Sequence, residues 1–446
     1  MISQRRPLHF LFICSLIFVL FSFFIGPAAA AFSGAGNGTP SDPYQITTIA
    51  QLDEVRHNLS ASYILMNDLD FSGSNLSWEP IGEADVDSKS GQLSGLFSGQ
   101  FDGNGKTIRN LSVSYPERSG AGLFGHVGQR GEITNLTLDN VTISAQSSAG
   151  SLAGQNDGII RNCSAVHVAA EAFNDLGGLV GVNNGFISNC FATGHLSGGN
   201  MIGGLVGINC GVVNESYASF SICGTGYDAG GLVGYNFKGR IWDCYSFGSV
   251  SSNSIVGGLA GGNYEGIIDR CYAVGTVYAT RDYAGGLVGL NQGYLKDSYA
   301  LTESVDVGTD YSSEYAQQKS IGKIAGVNDD YCTGFIFWCY YWDEMTTNEK
   351  FRKDGDNEVT LSVSSKDVWG TAGQHFYWNA FGVPWELKDF ADYPLPVFEW
   401  QEEPPGDVSY LNPDNSMEKP KKLPGFELAA GIFVGIGVVL FIYRKR

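Results

Sequence analysis

Apolar and polar positions alternate along most of the chain in a pattern that repeats with one period. A segment of the type Gly-Gly-Leu-Val-Gly, followed by Asn and then by Cys, an aromatic residue and Ala, is clearest at residues 177–192. Its reference apolar residues are Leu123, Leu152, Leu179, Leu205, Leu232, Leu259, Leu287 and Ile324. Their spacings are 26–29 residues, with 37 before the last copy. Such a period predicts a solenoid, because no single unit can bury its own apolar face.

Within one repeat the apolar positions follow the two-residue period of β-strands. Leu179, Gly181 and Asn183 share one parity, and Cys190 and Ala192 begin a second alternating run. No segment of the repeat has a helical period long enough to compete. About 27 residues suit three short strands and three turns. We therefore predict an all-β fold, a right-handed parallel β-helix of roughly 27-residue coils with N- and C-terminal caps.

Asparagine occupies one position, four residues after the reference apolar residue, in seven repeats. These residues are Asn156, Asn183, Asn209, Asn236, Asn263, Asn291 and Asn328. Stacked amides can hydrogen-bond along the solenoid axis, and buried amides need such partners. The pattern predicts a structural Asn ladder, and a row of ligand-binding amides is the alternative.

A second inward position holds cysteine or serine. Its residues are Cys163, Cys190, Ser216, Cys244, Cys271 and Ser298. Interchange with serine favours a small buried side chain over a metal ligand. We expect free buried thiols, since a disulfide between stacked neighbours needs a demanding geometry.

The residue after this position is aromatic in most repeats and is expected to face outward. The residues are Phe191, Tyr217, Tyr245, Tyr272 and Tyr299. An exposed aromatic stripe would be a binding site for sugars or for a partner protein. The alternative is that the rings pack on one another and on the C-terminal segment.

The Gly-Gly-Leu-Val-Gly core with its downstream Asn and Cys-Tyr-Ala resembles the GLUG repeat of bacterial and archaeal surface proteins. The resemblance covers residues 121–342. It implies a surface scaffold rather than an activity, although some relatives carry such repeats beside peptidase modules. The long interval before Ile324 contains residues 301–320, which we expect to form a surface loop.

The segments outside the repeats differ in composition. Arg5 and Arg6 precede an apolar run and a small-residue site near Ala30, which is typical of a secretory signal peptide. The predicted division is 1–30 signal peptide, 31–120 N-terminal cap and first coils, 121–342 repeat β-helix, 343–400 aromatic-rich C-terminal cap, 401–423 linker and 424–446 sorting signal or transmembrane tail.

The chain ends with Pro424, Gly425 and Phe426, the apolar run Leu428–Tyr443 and three basic residues. This end resembles the PGF-type sorting signal of archaeal surface proteins. The resemblance implies that a membrane sorting enzyme removes the tail and that a lipid is attached. The alternative is an ordinary membrane span that is retained. Either anchor places the body on the extracellular face of the membrane, at the cell surface.

The charge balance excludes one class of partner. The chain carries 27 basic and 46 acidic residues, a formal net charge of −19. Such a surface repels nucleic acid. We therefore expect no nucleic-acid partner, and a glycan or a surface protein as the ligand.

Motifs of known chemistry are missing from the sequence. There is no His-Glu-x-x-His, no Gly-x-Ser-x-Gly and no phosphate loop. Asp329 and Asp330 are the nearest carboxylate pair, which Asp269 or Asp297 could join only if the coils align. A calcium or catalytic site is also conceivable among the N-terminal aspartates, but turn capping fits their spacing better. Those aspartates are Asp68, Asp70 and Asp102.

We therefore predict a non-catalytic surface β-helix protein with a structural or adhesive role, no cofactor and no metal. The alternative is a surface-anchored polysaccharide hydrolase or lyase of β-helix fold. Modification is the remaining expectation, since Asn-x-Ser/Thr sequons are frequent outside the signal. The candidate glycosylation sites are Asn37, Asn58, Asn75, Asn110, Asn135, Asn140, Asn162 and Asn214.

Overall fold

Stacked coils of roughly 27 residues form a parallel β-solenoid of about seven turns, which confirms the predicted fold class. The computed structural model describes residues 32–74, 77–83, 85–86, 93–308, 320–328, 334–337, 339–342, 345–347, 360–363, 385–390 and 393–398. Strands of successive coils pair in parallel across the whole array in a single large sheet. The right-handed sense stays a prediction, supported by the usual hand of parallel β crossovers.

A regular coil contains four strands rather than the three expected from the sequence. In one coil the first to fourth strands are Val206–Asn209, Val212–Asn214, Tyr217–Gly224 and Tyr227–Gly230. In the preceding coil the third and fourth strands run together as Phe191–Gly203. Sequence periodicity does not separate these two, because the same alternation continues through both.

Equivalent strands recur along the array. First strands are Phe124–Val127, Ala153–Asn156, Val180–Asn183, Val206–Asn209, Val233–Phe237, Ala260–Asp269, Val288–Lys296 and Ala325–Asn328, and the longest two continue through the second position. Separate second strands are Ile159–Arg161, Phe186–Ser188, Val212–Asn214, Arg240–Trp242 and Phe335–Phe337. Third strands are Ser164–Gly177, Phe191–Gly203, Tyr217–Gly224, Tyr245–Ser252, Tyr272–Ala279, Tyr299–Val307, Cys339–Trp342 and Thr360–Val363. Separate fourth strands are Tyr227–Gly230, Ser254–Gly257, Tyr283–Gly285 and Ser320–Gly322.

The remaining elements lie mostly before the array. Parallel strands there are Tyr44–Ile46, Ser62–Leu65, Leu69–Asp70, Gln100–Arg109 and Ser112–Ala121. The first coil of the array is completed by the longer strands Glu132–Asp139 and Thr142–Ala149. Antiparallel pairs join Asp85–Val86 to Leu93–Ser94 and Trp385–Phe390 to Tyr393–Phe398. Thr346–Thr347 pairs with the strand Tyr299–Val307.

A short helix and a 3₁₀ turn pack on the first strands. The helix Ile49–Asp53 begins at Thr48, whose side chain accepts a hydrogen bond from the backbone N–H of Gln51, as an N-cap does. The 3₁₀ turn Glu54–His57 follows directly. Leu52 is fully buried beneath them. This helical segment therefore covers apolar surface at the start of the stack, within the residues predicted to form the N-terminal cap.

Glycine allows two walls of the coil to approach closely. A Cβ atom on Gly204 would lie 2.8 Å from the Cβ of Ala218, and one on Gly231 would lie 2.9 Å from the Cβ of Ser246. A real Cβ has essentially no room at such distances. The second glycine of the Gly-Gly pair therefore packs directly against the small residue of the third strand, and a larger side chain at either position would not fit.

The seven asparagines of the first strands stack into one column. From Asn156 to Asn328, each side chain donates from Nδ2 to the Oδ1 of the next at 2.8 Å. The six before Asn328 are fully buried. A second amide N–H points to a turn carbonyl, as from Asn209 to Gly211 O at 3.4 Å. Both sides of each amide are thus used, and a shift of one coil against the next would break the column.

The cysteine and serine position forms a second buried column. The backbone N–H of Cys190 donates to Ser216 Oγ at 3.1 Å, and Ser216 Oγ donates to Asn214 O at 2.7 Å. The thiol of Cys244 points to the equivalent carbonyl, Trp242 O, at 3.2 Å. Cys163, Cys190, Cys244 and Cys271 hold free, buried thiols. Burial raises the pKa of the Cys163 and Cys244 thiols, which keeps them protonated.

Residues 301–320 are predicted from the sequence to form a surface loop, but both ends of this range belong to strands. Leu301 and Val305 are fully buried in the strand Tyr299–Val307, and Ser320 begins the next fourth strand. The coil keeps both strands because they pair with the coil before it, so the insertion can lie only between them. Residues 309–319 lie outside the described residues.

Several predicted segments cannot be compared with the structure. The signal peptide (1–30), the linker (401–423) and the sorting segment with Pro424, Gly425 and Phe426 lie outside the described residues. Of the predicted C-terminal cap, 343–400, only the short strands given above are described. Within the described ranges, no helix has the length and apolar character needed to cross a membrane.

The Asn column generates a stability prediction. Replacing Asn209 by Leu removes the amide acceptor of Asn183 Nδ2, which keeps only its longer contacts to carbonyls, and the amide donor to Asn236 Oδ1, so two buried polar groups lose their partners in the column. Each such group costs about 1–3 kcal/mol. We therefore expect Asn209→Leu to lower the free energy of unfolding by at least about 2 kcal/mol, which is about 1 kcal/mol for each of the two groups. Asn328→Leu, at a half-buried position with one described amide neighbour, is the control and should cost less. Equal denaturant midpoints for the two variants would contradict a cooperative column.

The cysteine column generates a second prediction. Cys244→Ser should fold and lose no more than about 1 kcal/mol, because Ser216 already uses a hydroxyl in the same geometry. Cys244→Leu, which overfills the position, should cost about 1–3 kcal/mol. Urea unfolding of both variants measures the difference. Intact-mass detection of a disulfide between neighbouring coils in the native protein would overturn the free-thiol column.

Candidate functional site

The aromatic residues considered as a binding stripe are buried and pack on one another, as the alternative interpretation held, and they form no exposed stripe. Phe191 is half-buried, Tyr217 is 7% exposed and Tyr245 and Tyr272 are fully buried. Neighbouring rings stack face to face at 4.8–4.9 Å. The ring of Phe247 lies edge-on to Tyr245 at 5.7 Å. The spacing of the coils is the spacing of stacked rings, so each ring covers the face of the next.

An exposed aromatic cluster occurs instead on the second strands, where sequence reasoning assigned none. Tyr294, Phe335 and Phe337 are 47%, 40% and 42% exposed. Tyr294 pairs in register with Phe335, and their rings stack at 5.1 Å. Phe335 and Phe337 flank the buried Ile336, with ring centroids 6.0 Å apart. The period-2 alternation around Ile336 is the signal that could have identified this outward face.

Ion pairs hold the carboxylates next to this cluster. Lys296 Nζ lies 2.9 Å from Asp269 Oδ2 and 3.7 Å from Asp297 Oδ2. Arg270 makes two hydrogen bonds of 2.7 Å with Asp243. The coils therefore do align these charged residues on one face, as the enzyme alternative required, but lysine and arginine lie between the carboxylates.

The predicted acidic pair Asp329 and Asp330 lies outside the described residues, so its approach to Asp269 stays a prediction. Burial raises the pKa of Asp297; the Lys296 charge opposes this effect and the Asp269 charge adds to it. A raised carboxyl pKa suits a general acid. Of the other carboxylates in these coils, Asp243 and Asp269 have cationic partners, and burial together with the Asp243 charge raises the pKa of Glu215.

Two of the three N-terminal aspartates hold turns, and Asp68 instead bonds to a neighbouring strand. Asp68 accepts from the Thr107 backbone N–H at 2.9 Å, which is the main reason that its pKa is lowered. Asp70 and Asp102 accept from the backbone N–H two residues on, at 2.7 and 2.8 Å. This is the turn capping that their spacing favoured. Among the described residues, no group of three or more His, Cys, Asp or Glu side chains is arranged to hold a metal ion.

A polar cleft of about 450 Å³ lies beside the first coils of the array. Its lining residues are Glu83, Arg118, Ser119, Gly120, Gly125, His126, Ser148 and Gln155. His126 is 3% exposed, and its Nε2 lies 2.9 Å from Asp157 Oδ2. Burial tends to raise the pKa of Asp157, but hydrogen bonds from His126, Asn184 and Gln155 outweigh it and lower the pKa to about 2.

The cleft brings together residues that the sequence did not connect. His126 and Gln155 occupy paired positions on adjacent first strands, which places Asp157 beside the imidazole. A histidine–carboxylate pair can orient an imidazole for catalysis. Among the described residues, however, no serine hydroxyl is hydrogen-bonded to His126 to serve as a nucleophile. The cleft thus fits a polar ligand better than acyl transfer.

Four of the eight sequon asparagines lie at tight turns, where they hydrogen-bond to one another along the stack. Asn110, Asn135, Asn140 and Asn162 have positive φ angles, which asparagine tolerates better than most residues. Asn162 Nδ2 donates to Asn135 Oδ1 at 3.0 Å, and Asn140 Nδ2 donates to Asn110 Oδ1 at 2.6 Å. Asn162 is exposed as predicted. A glycan on any of these nitrogens would replace one N–H of the column.

The sequon at Asn214 does not suit modification of the folded protein. Asn214 ends the strand Val212–Asn214 and is 7% exposed, so its amide is not accessible from solvent. Asn214 belongs to the strand rather than to the turn, because it pairs with Trp242 of the next coil. Asn37 and Asn58 are exposed, and Asn75 lies outside the described residues.

One buried carboxyl has a strongly shifted pKa. Asp228, in the fourth strand Tyr227–Gly230, is 5% exposed and accepts a hydrogen bond from Tyr264 Oη at 3.1 Å. Burial raises its pKa to about 7, against the smaller opposing effect of the Tyr264 hydrogen bond. The carboxyl therefore changes charge near neutral pH.

Comparison with known proteins identifies the repeat. A protein-family model described as the GLUG motif matches residues 252–278, one copy of the 27-residue unit. The chain is 38% identical over 140 residues to Halomucin of Haloquadratum walsbyi, which covers 28% of this chain and 1% of that protein. It is also 34% identical over 175 residues to a protein of Evansella cellulosilytica provisionally named a Gly-rich membrane protein. That match covers 36% of this chain and 19% of the relative. The match thus spans a small part of each relative.

A comparison with solved structures finds one that aligns with most of this chain. It is a crystal structure from Bacteroides ovatus provisionally identified as an immunoglobulin A1 protease, with 22% identity and a TM-score of 0.41. The match covers 82% of this chain and 95% of that chain. A similarity of this level carries no argument about activity.

The shifted carboxyl generates a pH prediction. The folded chain retains a proton on Asp228 that the unfolded chain, with the ordinary pKa of 3.8, has released. Stability therefore falls as the pH rises from about 4 to about 7, by about 1.4 kcal/mol per unit of pKa difference. Asp228→Asn should remove this slope and make the protein more stable than the wild type at pH 8. Urea unfolding at pH 5 and pH 8 measures both effects, and parallel pH profiles would contradict the assignment.

Proposed function

We propose that this chain is a cell-surface β-solenoid with a structural and adhesive role, and that its ligand is a glycan or a surface protein. The observation that carries the proposal is the unbroken Asn column from Asn156 to Asn328. It belongs to a regular stack in which the repeated polar side chains bond to one another. Such a stack is a spacer that holds its outer surface at a defined distance and in a defined order.

The relatives support the surface location. One is named Halomucin and another is named as a membrane protein. The composition supports it as well, since a net charge of −19 suits a solvated outer surface. Export by the N-terminal signal and anchoring by the C-terminal tail complete the proposal. In it, a sorting enzyme or a retained span attaches the chain to the membrane.

The enzyme alternative, a polysaccharide hydrolase or lyase, is not favoured by the described residues. Asp243 and Asp269 on this face have basic neighbours, and ion pairs of this kind also occur in purely structural networks. The polar cleft at His126 contains one oriented imidazole but no aligned nucleophile among the described residues. The two classes make opposite predictions for the purified protein.

The surface role is tested on intact cells of the producing organism. We expect protease added to intact cells to digest the chain, and deletion of its gene to reduce attachment to surfaces or to other cells. Re-expression of the wild-type chain should restore attachment. Re-expression of a chain that lacks residues 424–446 is the matched control, and it should release the protein into the medium without restoring attachment.

The same purified full-length chain should leave polysaccharides intact. Release of oligosaccharides from any surface or matrix polysaccharide, lost in Asp329→Asn or Asp330→Asn, would overturn the non-catalytic proposal. A chain that stays protected from protease on intact cells would overturn the location.

A further inference from the structure

We propose that the exposed rings of Tyr294, Phe335 and Phe337, here called the aromatic patch, bind the sugar rings of a neutral polysaccharide. The inference rests on the proposed adhesive function and deepens it by naming a site and a ligand class. Three of the exposed large apolar side chains of the described residues occur together here. Clusters of this kind on a soluble surface mark binding sites more often than isolated exposed residues do.

The geometry of the patch is set by the solenoid. Leu295 and Ile336 are buried on the inner face of paired second strands, so their flanking residues must face outward. This places Tyr294 beside Phe335 across the strands, with Phe337 next along the strand. The ring planes differ by 21° and 12° in the two contacts. Three rings of nearly one orientation therefore form a small, rigid apolar surface.

Hydrogen-bonding groups lie at the border of this surface. Lys296 pairs in register with Phe337, and its ammonium group contacts Asp269 and Asp297. Lys296 and Asp297 remain partly exposed, at 42% and 29% of their side chains. A sugar ring has the matching character, with a C–H face that can pack against the exposed parts of the stacked rings and a rim of hydroxyls that can reach charged groups.

Charge and size exclude the other ligand classes. The net charge of −19 repels a polyanionic glycan, and Lys296, the cation described at the border, is already paired with two carboxylates. A stable protein partner would need about 800 Å² on each side, far more than three partly exposed rings supply. A neutral polysaccharide needs only a few ring contacts per chain, since repeated copies on a cell surface add avidity.

The test uses the full-length chain and three insoluble neutral probes: cellulose, mannan and β-1,3-glucan. We expect retention on at least one probe, and retention about tenfold weaker in the double variant Phe335→Ser with Phe337→Ser. Tyr278→Ser is the matched control, because Tyr278 is 41% exposed but lies on a third strand away from the patch. It should bind like the wild type. Phe335→Tyr should retain binding, since it keeps the ring.

Thermal unfolding of each variant ensures that lost binding is not lost folding. Removal of exposed rings should shift the midpoint little. Undiminished retention by the double variant would overturn the patch and leave the adhesive function standing. Attachment to cells that depends on the patch, with no retention on any polysaccharide, would overturn the ligand class in favour of a protein partner. A wild-type chain that attaches to neither cells nor polysaccharides would overturn the adhesive function itself.

Discussion

The stacking of each coil on the next in one register is the constraint on which the rest of the structure depends. Because the coils have nearly constant length, every repeated residue lies above its counterpart in the coil before it. Polar groups inside such a stack can bond only along the axis or to nearby turns. The amides from Asn156 to Asn328 use both routes, so a slipped register would leave buried donors and acceptors unpaired.

The same stacking of coils also influences which aromatic side chains are buried and which are exposed. An aromatic residue repeated in every coil stacks on itself and becomes buried, as Tyr245 and Tyr272 do. Phe335 and Phe337, at positions that hold an aromatic residue in only some of the coils, stay partly exposed although Phe335 stacks on Tyr294. In this solenoid, regularity of sequence therefore favours interior packing, and departures from the repeat favour contact with other molecules.

Charged residues follow this rule as well. Asp269 and Lys296 meet because they occupy paired positions in adjacent coils, and Arg270 reaches Asp243 across the same spacing. The chain thereby carries an excess of acid overall and still pairs Asp243 and Asp269 with basic residues on this face. A local balance of this kind favours a ligand that is polar but uncharged.

The sequence by itself determined the fold class, because a 27-residue period of alternating residues has few solutions other than a parallel solenoid. It also determined the Asn and Cys columns, since residues at one position of a repeat must stack. It did not determine which outward position is covered. Tyr245 and Phe335 both flank inward residues, and alternation treats them alike. Only the tertiary structure decided that one is buried between stacked rings and that the other is exposed, because burial depends on the neighbours that adjacent coils supply.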